Sequence, residues 1–295
     1  MIWITGANGM LGSDLVPLLR DGGWDVLATD AEVDVRDSEA LRVAVASKPI
    51  DWVINCCAYT AVDAAEANEA AAMAINVDGA AHVAEVATSL QARMIHISTD
   101  YVFDGQATHP RTEDEPRSPI GVYARSKAES EKRVAAAAPD STILRTAWLY
   151  GHHGGNFVHT MLRLMEEREQ ISVVNDQFGS PTQTVTLCRV IRQIIRRDVH
   201  ADGIYHVTSR GETSWYGFAL AIRDLALERG LLSHPCEVKP IATVDYPTPA
   251  RRPPYSVLSC AKIEGLLDIE LPSWQSSLAT FLTEAAELPK HTAVV

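Results

Sequence analysis

The chain begins with the residues Met1-Ile2-Trp3-Ile4-Thr5-Gly6-Ala7-Asn8-Gly9-Met10-Leu11-Gly12. Its first five residues are apolar or β-branched and predict a strand, and a helix is predicted next because leucine recurs at positions 11, 15, 18 and 19. The glycines between them let the backbone turn tightly and approach a pyrophosphate at a helix N-terminus. Asp30 ends the second predicted strand, at close to the ~20-residue interval typical of a ribose-binding carboxylate. The segment predicts a dinucleotide-binding βαβ unit.

Strand and helix patterns continue to alternate along the first half of the chain. Further strands are predicted at 24–29, 51–55, 93–98 and 142–146, and helices at 38–47, 64–90 (broken near 76–79) and 123–138. After residue 150, helices are predicted at 156–169, 185–197, 215–229 and 274–287, and strands at 171–174, 204–207 and 237–240. This order predicts an α/β fold with a Rossmann-type, doubly wound parallel sheet. We expect a dinucleotide-binding domain at 1–150, to which later segments return, and a smaller, mainly substrate-binding domain at 151–295.

Composition excludes several other classes of protein. The 295 residues carry a formal net charge of −12, which argues against a general nucleic-acid binder. The five cysteines include the adjacent pair Cys56-Cys57 and match neither a secreted disulfide framework nor a metal-ligand spacing. No apolar run is long enough to span a membrane, and no basic segment precedes an apolar one at the start of the sequence. We therefore expect a cytoplasmic protein without a membrane partner.

The second group of chemical residues is Tyr123-Ala124-Arg125-Ser126-Lys127. Tyrosine and lysine at positions i and i+4 share one face of a helix. A nearby ammonium is expected to lower the pKa of the phenol, which suits a group that exchanges a proton with a carbonyl oxygen. Ser98-Thr99-Asp100 ends the fourth predicted strand, where a hydroxyl can hydrogen-bond a substrate oxygen.

Together these residues resemble the extended short-chain dehydrogenase/reductase family, and within it the branch of the dTDP-4-dehydrorhamnose reductases. The signature is the Thr5–Gly12 loop with Thr99, Tyr123 and Lys127. The segments most specific to the branch are Ser-Thr-Asp-Tyr-Val-Phe-Asp-Gly at 98–105 and Asp-Gln-Phe-Gly-Ser-Pro-Thr at 176–182. Further matching segments lie at 34–37, 53–63, 75–76, 145–151, 156–157, 203–206 and 250–253.

The resemblance implies reduction of the C4 keto group of dTDP-4-dehydro-L-rhamnose to dTDP-L-rhamnose, in nucleotide-sugar biosynthesis. Thr99, Tyr123 and Lys127 would be catalytic: the first two would hold the C4 oxygen, and Tyr123 would donate the proton. Tyr123 and Lys127 would also contact the cofactor. The other cofactor-binding residues would be Gly6, Asn8, Gly9, Met10, Leu11, Gly12, Asp30, Asp34, Val35, Cys57, Ala58, Tyr59 and Asn76.

The dTDP-4-keto-6-deoxysugar would be bound by a further set of residues. These are Thr60, Val62, Thr99, Asp100, Trp148, Asn156, Gln177, Arg251 and Arg252. The arginines suit the diphosphate, because a planar guanidinium matches phosphate oxygens. The choice between NADPH and NADH stays open, since Asp30 favours a free 2′-hydroxyl and Arg36 favours a 2′-phosphate.

The chain departs from the family pattern at two places. Cys56 and Cys57 replace two alanines, and small thiols should pack beside a cofactor as alanine does. Some family members bind Mg²⁺ through acidic residues at a dimer interface. Asp14 stands near one of those positions, but Val185 stands where another acid is needed. The resemblance therefore leaves open Mg²⁺ binding and the choice between monomer and homodimer, and the sequence itself predicts no metal ligand.

Four alternative functions are weighed on the sequence alone. A 4,6-dehydratase is disfavoured because Tyr101 stands where that branch carries glutamate, and a 4-epimerase is disfavoured by the 176–182 segment. Reduction of another dTDP-4-keto-6-deoxysugar fits the same residues. A non-catalytic subunit, similar to the regulatory subunit of methionine adenosyltransferase, is disfavoured by the intact Thr99, Tyr123 and Lys127.

Overall fold

The computed structural model describes residues 1–287 of the chain. Its strands are β1 (Ile2–Thr5), β2 (Val26–Thr29), β3 (Trp52–Asn55), β4 (Arg93–Thr99), β5 (Thr142–Thr146), β6 (Leu149–Tyr150), β7 (Gln170–Val174), β8 (Phe178–Gly179), β9 (Thr182–Gln183), β10 (Gly203–His206), β11 (Thr213–Ser214) and β12 (Glu237–Ile241).

The α-helices lie between these strands and after them. They are α1 (Met10–Asp21), α2 (Ser38–Val45), α3 (Val62–Ala67), α4 (Glu69–Met73), α5 (Ala80–Ser89), α6 (Val122–Ala137), α7 (Phe157–Glu167), α8 (Thr184–Arg196), α9 (Trp215–Glu228), α10 (Ala261–Leu267) and α11 (Trp274–Glu287). A π-helical turn (Ala74–Gly79) joins α4 to α5 at the predicted break.

Six parallel strands form the central sheet, in the order β2-β1-β3-β4-β5-β10. Alternate side chains of each strand face opposite sides, and both sides are covered. Ile4 of β1 packs with Leu15 of α1 and Ile191 of α8. Trp3 packs on the other side with Val83 of α5. This arrangement confirms the predicted Rossmann-type sheet, whose strand order reverses between β1 and β3.

Each predicted element recurs with its ends shifted by three residues at most, apart from the 64–90 helix, which is divided into α3, the adjoining α4, the π-helical turn and α5. Sequence reasoning missed α10 and the short strands β6, β8, β9 and β11. Two-residue strands carry too little periodicity to be recognised. The elements β10 and α8 lie beyond residue 150 yet join the central sheet layer.

A second apolar core lies beside the sheet layer and packs α7, α9 and α11 together. Its largest buried side chains include Tyr150, Phe218 and Phe281. The domain boundary at residue 150 stays a prediction. Across residues 1–287, no helix has the length and apolar character needed to cross a membrane, and the cytoplasmic location stays a prediction.

Candidate active site

The carboxyl ends of the parallel strands meet at one edge of the sheet and open into a cavity of about 560 Å³. Many of the residues predicted to bind cofactor or substrate line it. They are Gly6, Gly9, Met10, Leu11, Gly12, Ala58, Thr60, Val62, Thr99, Asp100, Tyr123, Lys127 and Trp148. A larger cavity of about 1030 Å³ lies on the side of α6 that carries Arg125 and Lys132, and it contains none of the predicted site residues.

The glycine loop owes its shape to close backbone contacts. Gly6 has a φ of +67°, and a Cβ there would lie 2.7 Å from the backbone nitrogen of Cys57. A Cβ on Gly12 would lie 2.4 Å from the carbonyl oxygen of Gly6. Gly9 precedes α1 without a side-chain cap, which leaves amide groups of the first turn free of side-chain partners. The loop therefore fits the pyrophosphate of a dinucleotide.

Asp30 lies directly after β2, beside the glycine loop. Its carboxylate accepts hydrogen bonds from the Asn8 and Ala31 amides, both at 2.8 Å. Arg36 instead bonds to Asp34, with Nη2 2.6 Å from Oδ2. This contact lowers the pKa of Asp34. Arg36 is therefore paired with a carboxylate that the sequence assigned to the cofactor.

Asn76, in the π-helical turn, holds the segment that follows β3. Its Oδ1 accepts from the Tyr59 amide at 2.8 Å, and its Nδ2 donates to the Tyr59 carbonyl and to Ser126 Oγ. Asn76 is buried. It therefore holds Tyr59, whose neighbours Ala58 and Thr60 line the cavity. Val35 packs against Gly79 at the end of the same π-helical turn.

Tyr123 and Lys127 extend from the first two turns of α6 into the same cavity. Lys127 Nζ donates to the Ile97 carbonyl at 2.8 Å, and the residue is 2% exposed. Burial raises the pKa of Tyr123 to about 12, and a hydrogen bond with Thr99 opposes this rise. We expected Lys127 to lower the pKa of Tyr123, and this was wrong, because burial penalises the charged form of each side chain. The same burial lowers the pKa of Lys127 to about 8.

Thr99, the last residue of β4, is fixed by two neighbours. Its Oγ1 donates to Asp100 Oδ1 at 2.9 Å and accepts from the Tyr101 amide at 3.2 Å. Burial raises the pKa of Asp100 to about 6. Asp100 thus orients the hydroxyl that faces the cavity.

Trp148 stacks on Trp215, a residue that sequence reasoning missed. The two ring centroids are 3.4 Å apart and the planes differ by 3°. Trp148 has a φ of +48°, and a Cβ on Gly179 would lie 2.4 Å from its indole. Trp215 begins α9, more than sixty residues away in sequence, so only the packing of the two cores brings the rings together. No local signal pointed to it.

Trp215 lines both this cavity and an adjoining one of about 470 Å³, whose walls include Gln177 and Arg252. Arg252 forms a two-point ion pair with Asp63 (Nη2 to Oδ2, 2.6 Å). Gln177 Nε2 donates to Thr243 Oγ1 at 3.0 Å. The second cavity therefore offers polar groups and an apolar floor.

Two predicted substrate residues lie outside this lining, and so does Asp14, which stands near a position that binds Mg²⁺ in some family members. Arg251 is exposed, and Asn156 caps α7 by accepting from the His159 amide. Asp14 contacts Thr184 Oγ1 through Oδ2, and His153 lies 3.6 Å from its Oδ1. Residues 1–287 contain no group of three or more His, Cys, Asp or Glu side chains placed to hold a metal ion. Mg²⁺ binding is therefore unsupported.

A doubly wound parallel sheet, a glycine loop after its first strand and a Tyr-x-x-x-Lys pair in one cavity define a Rossmann-type oxidoreductase of the short-chain dehydrogenase/reductase class. The chain matches the family model described as the RmlD substrate binding domain over residues 1–287. It belongs to that family.

Relatives of known name agree with this assignment. A dTDP-4-dehydrorhamnose reductase from Aggregatibacter actinomycetemcomitans is 41% identical over 93% of this chain and 96% of its own. A dTDP-4-keto-6-deoxy-D-glucose reductase from Streptomyces niveus is 42% identical over 86% of this chain and 87% of its own. The solved dTDP-4-dehydrorhamnose reductase of Bacillus anthracis, in complex with NADP, is 36% identical with a TM-score of 0.90, covering 96% of this chain and 98% of that one.

Proposed function

We propose that the protein reduces the C4 keto group of dTDP-4-dehydro-L-rhamnose to give dTDP-L-rhamnose, with NADPH or NADH as the reductant. One observation carries the proposal. The glycine loop and the group Thr99, Tyr123 and Lys127 line the same cavity, so a dinucleotide on the loop can reach the group that exchanges the proton. The family membership supplies the substrate class.

The bound nicotinamide supplies the hydride that adds to C4. Tyr123 donates its phenolic proton to the C4 oxygen as negative charge develops there. A pKa near 12 keeps this phenol protonated at neutral pH, which suits a proton donor. Thr99 donates to the same oxygen when its hydroxyl hydrogen turns from Asp100 Oδ1 toward C4. Lys127 hydrogen-bonds the nicotinamide ribose.

The two adjoining cavities suggest how the substrate lies. The sugar would occupy the catalytic cavity against Trp148, and the nucleotide would extend past Trp215 into the second cavity. The guanidinium of Arg252 in that cavity suits the diphosphate, either while it keeps its ion pair with Asp63 or after that pair separates. In this placement the dinucleotide and the sugar would lie mainly against residues 1–150, and the nucleotide of the substrate would lie mainly against residues beyond 150.

Use of both cofactors is supported by the residues around Asp30. Its carboxylate accepts hydrogen bonds from a ribose diol and repels a 2′-phosphate. Arg36 is exposed and its partner Asp34 is partly exposed, so the guanidinium can exchange this contact for a 2′-phosphate at little cost. We expect the kcat/KM values for NADPH and NADH to differ by about tenfold or less.

The direct test is cofactor oxidation by the purified protein, followed by absorbance, with dTDP-4-dehydro-L-rhamnose and each cofactor. Tyr123→Phe is the control: it keeps the ring, and we expect NADPH binding to persist while turnover falls ~10²–10⁴-fold. Wild-type turnover in that variant would remove Tyr123 from the mechanism. No oxidation by the parent protein would leave the non-catalytic subunit as the better reading.

A second candidate is the reduction of another dTDP-4-keto-6-deoxysugar, favoured by the likeness to the Streptomyces niveus enzyme. The same residues would act on the same C4 carbonyl, so only the stereochemistry of the sugar differs. Comparing kcat/KM for dTDP-4-dehydro-L-rhamnose and dTDP-4-keto-6-deoxy-D-glucose separates the two. The larger value identifies the substrate.

A further inference from the structure

A buried chain of hydrogen bonds lies behind Lys127 and links Asn55, His96 and Ser130. It begins at Asn55, the last residue of β3. Asn55 Oδ1 accepts from the Cys57 amide at 3.2 Å and from Thr5 Oγ1 at 2.8 Å. A backbone amide can only donate, so the atom facing it must be the side-chain oxygen. The Asn55 NH₂ group therefore faces His96 Nδ1, 3.2 Å away.

This orientation fixes the tautomer of His96. An NH₂ group can only donate, so His96 Nδ1 must carry a lone pair, and the neutral ring carries its hydrogen on Nε2. His96 Nε2 lies 2.7 Å from Ser130 Oγ, which accepts that hydrogen. The ring is buried, and its burial and the nearby Lys127 charge hold the pKa of His96 well below its ordinary value.

Lys127 meets the same ring nitrogen from the cavity side. Its Nζ lies 3.4 Å from His96 Nε2, but a nitrogen that bears hydrogen cannot accept from an ammonium. Among the described residues, the Ile97 carbonyl is then the one acceptor of Lys127, at 2.8 Å. Two of its three N–H groups are left for the cavity that Lys127 lines.

We propose that His96, held by Asn55 as the Nε2–H tautomer, is a positioning residue for Lys127. Because its Nε2 carries hydrogen, it cannot accept a hydrogen bond from the ammonium, and two ammonium hydrogens are therefore directed toward the cofactor. The inference rests on the proposed function, in which Lys127 holds the nicotinamide ribose. The other ionisable groups that act on this ammonium are Glu131 of α6 and the thiols Cys56 and Cys57 after β3. Burial keeps both thiols protonated by raising the pKa of each, so neither competes as a charged partner.

The tautomer can be read directly from the ¹⁵N chemical shifts of the histidine rings in the full-length protein, with His96→Phe used to assign the signal. We expect an unprotonated Nδ1 and a protonated Nε2 at neutral pH, with and without NADPH. A hydrogen on Nδ1, or on both nitrogens, would overturn the proposal before any variant is made.

The matched variant is Asn55→Asp, which replaces the donating NH₂ with an accepting oxygen. The ring then carries its hydrogen on Nδ1 and offers a lone pair to Lys127. We expect NADPH affinity to weaken about tenfold, as for one lost charge-assisted hydrogen bond. The new acceptor should also raise the pKa of Lys127 above about 8, so NADPH binding should persist to higher pH than in the parent protein. Ser130→Ala is the control: the Asn55 donor still fixes the tautomer, so affinity should stay within about twofold.

The double variant Asn55→Asp with His96→Phe distinguishes the effect of the His96 tautomer on NADPH affinity from the effect of the added negative charge. With no ring nitrogen present, the second change should leave the NADPH affinity of His96→Phe unaltered. An equal loss in both backgrounds, or wild-type affinity in an Asn55→Asp protein whose ring has switched, would refute the role of His96. These readouts need no sugar substrate, so failure of the sugar-reduction assay is distinguished from failure of this inference.

Discussion

Replacing Lys127 with methionine should make the protein more stable while removing its activity. Lys127 is 2% exposed, and its ammonium donates to the Ile97 carbonyl. Burial lowers the pKa of Lys127 from 10.5 to about 8, which corresponds to roughly 3 kcal/mol at neutral pH. Methionine fills similar space without a charge. We expect the free energy of unfolding to rise by about 1–3 kcal/mol.

The pH dependence of this gain has a defined sign. Between pH 8 and pH 10.5 the unfolded chain keeps the Lys127 proton and the folded chain releases it, so wild-type stability increases with pH across this window. The cost of the buried charge is fully present below pH 8. The advantage of Lys127→Met should therefore be greatest at neutral pH and decline toward pH 10.5.

Urea unfolding followed by circular dichroism at pH 7 and pH 9.5 measures both effects. Lys132→Met is the control, because Lys132 lies on the same helix with its side chain 57% exposed, and it should change stability by less than ~0.5 kcal/mol. NADPH titration of each variant reports the accompanying loss of cofactor affinity. The reasoning would be refuted if Lys127→Met were less stable than the parent protein at pH 7. It would also be refuted if the gain in the free energy of unfolding were the same at pH 7 and pH 9.5.

Three further predictions concern the cofactor site. Gly12→Ala should lower the free energy of unfolding by ~1–3 kcal/mol, measured in urea, because its Cβ would lie 2.4 Å from the Gly6 carbonyl oxygen. Gly9→Val should fold but bind NADPH more weakly in titrations, since the branched side chain stands where the pyrophosphate approaches; unchanged affinity would make this loop purely structural. Asp34→Asn should free Arg36 and raise the NADPH-to-NADH ratio of kcat/KM about two- to fivefold, whereas Arg36→Ala should lower it.

Local sequence patterns predicted the elements that hold the site. The first strand, the glycine loop and the paired Tyr123 and Lys127 depend on short-range spacing, and the structure places the loop and the pair at one cavity. Spacing did not predict the charge states there. Proximity alone suggested that Lys127 would lower the pKa of Tyr123, but both groups are buried, and desolvation has the larger effect.

By itself, the sequence determined the parallel α/β sheet, the glycine loop after its first strand and the helix face that carries Tyr123 and Lys127, because each follows from periodicity within a few turns or strands. Only the tertiary structure decided which distant residues meet. It stacked Trp148 on Trp215, paired Arg252 with Asp63, and placed His96 behind Lys127. Contacts between residues far apart in the chain, and the desolvation that accompanies them, arise only when the packed layers exclude water, and no local pattern records that.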